Sequence, residues 1–216
     1  MRAIILSAFL MLGIDLFAQD HKWNFGVNAG GLTSYAQPNI GNSSLYLGYY
    51  AGLTANRAFN KHFLNLDFGL LRKGAISEAN FPVFDDYSDF HAKEQLEGDF
   101  LQLDIAYGYS FGKKLKIIPL AGIYAGYAAR GKASYSLSYT RKSDNSHFSE
   151  HYESEFGDEL IYPLDYGLTT GAIFKYERLA LTGKFQYGLS SEDIYPYDNP
   201  PTYRTFLFTL GYYLRK

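Results

Sequence analysis

His147-Phe148-Ser149-Glu150-His151 spells H-x-x-E-H, a spacing that on a helix sets two imidazoles on one face for a zinc ion. That chemistry also needs a glutamate base and a third ligand downstream. The flanks argue against a helix. Tyr135, Leu137 and Tyr139 alternate with Ser134, Ser136, Ser138 and Thr140, and Ser143-Asp144-Asn145-Ser146 reads as a turn before Phe148, Tyr152 and Phe156 return. The motif therefore falls on a hairpin. A serine-hydrolase reading would draw on His91, His147 and His151, with Ser88, Asp89 and Ser149 nearby in polar segments. Asp85-Asp86 and Asp89 are a calcium candidate, yet they lack ligands at the spacing a calcium loop requires. Each group reads first as solvated loop, so no catalytic, metal or cofactor-binding residue is assigned and no cofactor is implied.

The elements that carry these residues follow from a period of two. Apolar and small or polar residues alternate through Trp23–Gly30, Leu45–Thr54, Leu64–Leu70 and Leu101–Phe111. They do so again through Ala121–Ala128, Leu164–Phe174, Leu179–Leu189 and Thr205–Leu214. That makes eight segments, most near the ~9–11 residues with which a tilted strand crosses a bilayer. No stretch after the N-terminal segment is apolar for the ~18 residues a spanning helix needs. Three connections are short (Asn56 to Lys61, Gly112 to Lys114, Glu177-Arg178), and four are long and polar, about 34–44, 73–98, 130–160 and 190–204. Sorting of short and long connections to opposite ends is the habit of outer-membrane barrels. The expected fold is all-β, an antiparallel up-and-down transmembrane barrel of about eight strands. Both termini then lie in the periplasm.

Chemistry orients the strands. Asp67, Asp104 and Lys184 could not face acyl chains, where a midplane cation costs ~2–4 kcal/mol, so the polar and glycine set faces the lumen. Counting from the short turns puts these three charges at similar depth. Lys184 then reaches across an eight-stranded barrel toward one or both carboxylates. Tyr46, Tyr50 and Tyr124 also point inward, and the lumen of so narrow a barrel is filled by side chains. Glycines four apart, such as Gly26/Gly30 and Gly122/Gly126, relieve inward crowding.

Composition sets the outer bounds. The chain's 216 residues hold one domain, and a net charge of −2 gives no basic excess for nucleic acid. The 21 Tyr and 17 Phe suit interfacial girdles, and the absence of Cys excludes disulfides and a lipid-attachment cysteine. Arg2, the apolar Ala3–Leu12 and Leu16-Phe17-Ala18 form an export signal, so residues 1–18 are a cleaved signal peptide and 19–216 the barrel domain.

The same residues resemble a family, the Bacteroidetes-type outer-membrane barrels called PorT-like. The likeness lies in Phe17-Ala18-Gln19, Leu64–Ala75, Leu101–Phe111 into Ile117–Tyr127, Leu164–Gly171, Ala180–Ser190 and Thr205–Leu214. The closing strand departs from the family in ending Leu214-Arg215-Lys216 rather than in an aromatic. The resemblance implies a Gram-negative outer membrane, lipid as the immediate partner, and envelope or secretion proteins met through extracellular loops. It carries no shared catalytic motif. The expected function is non-enzymatic surface binding or envelope support; the alternatives are a loop-sited hydrolase of lipid or peptide, and a small pore.

Overall fold

The computed structural model describes residues 23–36, 42–81, 87–155, 164–189 and 202–214. Ten strands run in chain order: β1 (Asn24–Ala36), β2 (Asn42–Ser44), β3 (Tyr46–Phe59), β4 (His62–Phe81) and β5 (Tyr87–Tyr109). They continue as β6 (Leu115–Arg141), β7 (His147–Glu155), β8 (Leu164–Tyr176), β9 (Leu179–Gly188) and β10 (Tyr203–Tyr213). Eight of them close a ring in the order β4-β3-β1-β10-β9-β8-β6-β5, with β5 pairing back onto β4. Every pairing is antiparallel, the ring strands follow one another in chain order, and β1 meets β10 from Gly26↔Tyr213 to Ala36↔Tyr203. Closure leaves the ring no free edge, which a lipid-embedded backbone requires. β2 pairs with β4 and β7 with β6, both outside the ring.

The alternation holds on all eight ring strands. Leu53, Leu101, Ile123, Leu168, Leu181 and Phe208 are exposed, while Thr54, Gln102, Tyr124, Thr169, Lys184 and Thr209 are buried. Phe25, Tyr107, Tyr176 and Tyr212 ring the outer wall near the short turns, and Tyr49, Tyr127, Tyr166 and Tyr187 ring it near the other end. Along β8, Tyr166 and Tyr176 are ten residues apart. At ~3.3 Å per residue and a ~40° tilt that separation gives an apolar belt ~25 Å tall, the height such barrels present to lipid.

The short turns are built as their residues allow. Asn60 (φ 58°) and Glu177 (φ 51°) open two-residue turns in the left-handed region, and Gly112 (φ 92°) bends the β5–β6 connection. The lumen glycines relieve the expected inward crowding, as at Gly52, where a Cβ would lie 2.5 Å from the Tyr50 hydroxyl, and a second crowding besides. A Cβ on Gly30 would lie 1.9 Å from the Phe208 carbonyl oxygen, and one on Gly122 2.0 Å from that of Ile105. The neighbouring strand's backbone occupies the space, so glycine here permits tightly coiled strands to close.

One expected loop proves to be strand, and a second holds the hairpin its alternation predicts. The polar stretch 73–98 continues β4 to Phe81 and starts β5 at Tyr87, with ladder pairs running from Lys73↔Gly98 to Phe81↔Phe90. Residues 130–155 form the expected hairpin, β6 running to Arg141 and β7 returning from His147 to Glu155, while 156–160 lie outside the described residues. Strands β4, β5 and β6, of 20, 23 and 27 residues, therefore run far past the ~9–11 needed to cross lipid. Together with β7 they form a sheet, the wing, that projects beyond the barrel at the end away from the short turns.

Candidate functional site

The lumen is stacked in tiers that can be read along β4, whose odd residues point inward. Phe63 joins Ile118, Ile173 and Tyr213 in an apolar floor near the short turns. Asp67 lies in the tier above. Leu71 packs with Leu32, Tyr50 and Phe100 in a second apolar layer. Lys73 forms the next charged tier, and Ala75 packs with Ala36 and Tyr203 above it.

The lower charged tier is the triangle expected from residue counting. Asp67 and Asp104 are direct partners on β4 and β5. The Lys184 Nζ, carried on β9 across the barrel, donates to Asp67 Oδ2 at 2.7 Å and to Asp104 Oδ1 at 2.6 Å. Amides complete the shell: Asn65 and Asn28 donate to Asp67 at 2.7 and 3.2 Å, and Gln186 to Asp104 at 3.4 Å. The upper tier was not foreseen. Lys73 on β4 pairs with Asp165 on β8, both fully buried, and Tyr124 Oη donates to the same carboxylate at 3.3 Å. The Lys73 ammonium also lies 4.5 Å from the Phe100 ring and 5.0 Å from that of Tyr203.

Tyr50 and Tyr124 are buried inside as expected, whereas Tyr46 reaches Glu97 at 3.0 Å beside Arg72. The free space around Lys184 is ≈ 10 Å³, about one water's worth. Among the described residues, the lumen at this tier leaves no aqueous path. Purified protein in planar bilayers is expected to give no steady single-channel current, and stable openings would show that the tiers part.

An outward ion cluster marks where the strands leave lipid. Asp99 lies 3.7 Å from Arg72 and 3.4 Å from Arg130, and Glu97 lies 3.5 Å from Arg72. The β5–β6 ladder slips at Asp99/Phe100, a bulge that redirects the strands at that boundary. Beyond it the wing has two unlike faces. The face continuous with the lumen carries Leu137, Tyr139, Phe148 and Phe90, with Tyr139 stacked between Phe90 (6.0 Å) and Phe148 (5.3 Å). Burial holds the Glu94 carboxyl on this face above the usual carboxylate range.

The histidines lie on the other, polar face. His147 and His151 sit on strand β7, four residues apart, with Glu150 between them on the opposite face. At ~3.3 Å per residue the two rings are rooted ~13 Å apart, so H-x-x-E-H cannot close on one ion. No group of three metal-capable side chains converges among the described residues. His91 bonds Asn80 (2.6 Å) and His147 bonds Thr140 (3.3 Å). His151 stands between Ser136 (2.9 Å) and Glu153 (3.3 Å), a serine–histidine–carboxylate chain by composition. It lies flat on an exposed sheet, and the β6 backbone beside Ser136 is paired on both sides, with β5 and with β7, which leaves no N–H group of that strand to hold an oxyanion. Asp85 and Asp86 lie outside the described residues, as do the side chains of Ser88 and Asp89.

Residues 17–193 match the family model described as outer membrane protein beta-barrel domain. Among solved structures, Ail, the attachment invasion locus protein of Yersinia pestis, in complex with the heparin analogue sucrose octasulfate, is 12% identical with a TM-score of 0.42. That match covers 89% of this chain and 99% of the other. Neisserial surface protein A is 12% identical with a TM-score of 0.36, covering 87% and 96%. No curated protein matches the chain.

Proposed function

The chain belongs to the family of outer membrane protein β-barrel domains, and we propose that it is a non-enzymatic member whose barrel anchors the wing as a binding surface at the cell exterior. The observation that carries this reading is the length of β4, β5 and β6, which stay paired with one another well beyond the ion cluster. A barrel that only had to span lipid would turn at Arg72, Asp99 and Arg130. This one extends an amphipathic sheet whose inner side is aromatic, the composition that interfaces favour at their centres. In this reading residues 1–18 are removed on export and both termini face the periplasm. The PorT-like resemblance adds that the bound partner belongs to the envelope.

Trypsin tests the reading on intact cells. The β6–β7 turn presents Arg141-Lys142 at its tip, and the β5–β6 turn presents Lys113-Lys114 at the opposite end. Cleavage is expected at Lys142, with the unboiled folded band unchanged and two fragments released on boiling, because the ladder holds the nicked chain together. Cleavage at Lys113-Lys114 in intact cells would invert the orientation. A chain with the wing replaced by short turns should keep the folded band and lose its crosslinked partners; unchanged crosslinks would move the binding role elsewhere.

A further inference from the structure

The two deeper lumen lysines sit on carboxylates, but two at the short-turn end do not. Lys116 and Lys175 face each other as direct partners across β6 and β8, both on the lumen side. Neither has an ion pair among the described residues, in contrast to Lys73 and Lys184. Like charges placed opposite each other on an antiparallel pair are destabilising, so the arrangement costs stability unless an anion lies between them. Lys113 and Lys114 add two more cations from the adjacent turn. The four lysines line a vestibule of ≈ 500 Å³ in which Glu177 is the one carboxylate among the lining residues.

The vestibule has a built interior. Its base is the apolar floor of Phe63, Ile118, Ile173 and Tyr213, which separates it from the Lys184 tier. The Lys175 ammonium is held 4.0 Å from the Tyr213 ring centroid, which fixes it over that floor. Asn56, only 3% exposed, lines the cavity, with its amide beside the Tyr213 hydroxyl at the edge of the floor. The amide carries two N–H donors, so one can serve Tyr213 while the other meets a ligand acceptor in the cavity.

We propose that this vestibule binds a phosphate-bearing anion, with its oxygens shared by Lys113, Lys114, Lys116, Lys175 and the Asn56 amide. The enclosed volume matches a small ligand or headgroup rather than the broad surface a protein partner buries. Lysine ammoniums act as point charges suited to phosphate, whereas planar carboxylates favour the arginine fork, which does not line this cavity. Two sources share the chemistry: the headgroup of an anionic phospholipid at the membrane surface, and a soluble phosphorylated molecule.

The test uses the full chain and reads acetylation of Lys116 and Lys175 by mass spectrometry, in neutral detergent with or without inorganic tripolyphosphate. Nanodiscs of phosphatidylglycerol are compared with nanodiscs of phosphatidylcholine. Protection of both lysines by about tenfold is expected. Protection by tripolyphosphate assigns a soluble ligand, and protection by phosphatidylglycerol alone assigns the headgroup. The Lys116→Gln/Lys175→Gln variant should keep its folded gel band and bind tripolyphosphate at least tenfold more weakly by calorimetry. The protection measurement on the unaltered chain decides the matter if that variant fails to fold. Equal labelling in every condition overturns the proposal, as does protection by a polyglutamate peptide where neither phosphate source protects.

Discussion

Lys184→Met is expected to lower sharply the temperature at which the compact band disappears on unboiled detergent gels, by a loss of about 3–5 kcal/mol. The methionine fills much of the lysine's volume, so the loss measures charge rather than cavity. What remains is a pair of carboxylates, Asp67 and Asp104, directly opposite each other in a lumen with almost no water. The structure ranks the rescues. Asp67 keeps donors from Asn65 and Asn28 when the lysine is gone, while Asp104 keeps the longer bond from Gln186. Adding Asp104→Asn should therefore recover more of the loss than adding Asp67→Asn. Phe185→Leu, one residue away but facing outward against Phe206 at 4.8 Å, should cost no more than ~1 kcal/mol. Melting of Lys184→Met at the unaltered temperature would mean that the two carboxylates find water or protons at no cost.

That triangle could be derived from sequence because lipid enforces the pattern. Inside the belt every outward residue must be apolar, so Asp67, Asp104 and Lys184 had one face available, and distance from a short turn fixed their depth. Past the belt the constraint lapses. From Arg72 on β4, Asp99 on β5 and Arg130 on β6 the outward face meets water, and polar residues appear on it as well as in turns. A polar stretch such as 73–98 then resembles a loop although each strand still has an equally long neighbour to pair with. Lys73–Asp165 was missed for the same reason, since Lys73 stood in the presumed loop. One signal was present: Lys73 keeps the odd, inward parity of Phe63, Asp67 and Leu71, and an inward lysine needs a carboxylate. H-x-x-E-H misleads in the opposite way, because its spacing has meaning only at 3.6 residues per turn, and β7 has a period of two.

The upper pair yields to a simpler repair than the lower triangle. Lys73→Met alone should cost ~3–5 kcal/mol, because it strands the Asp165 carboxylate among aromatic rings. The two charges are matched one to one, so Lys73→Met/Asp165→Leu replaces a whole buried pair by apolar groups. It should recover most of the loss or exceed the original stability, as buried pairs elsewhere do. No single second change can achieve this at Lys184, which balances two carboxylates. The tiers should also behave independently. Lys73 and Asp67 are six residues apart on β4, ~20 Å at ~3.3 Å per residue, with Leu71, Tyr50 and Phe100 packed between them. Stability losses of Lys73→Met and Lys184→Met, read from the same gel transition, should then add within about 0.5 kcal/mol. A larger coupling would show that the apolar layer transmits strain between the tiers, and that the two ion pairs fix the strand register jointly.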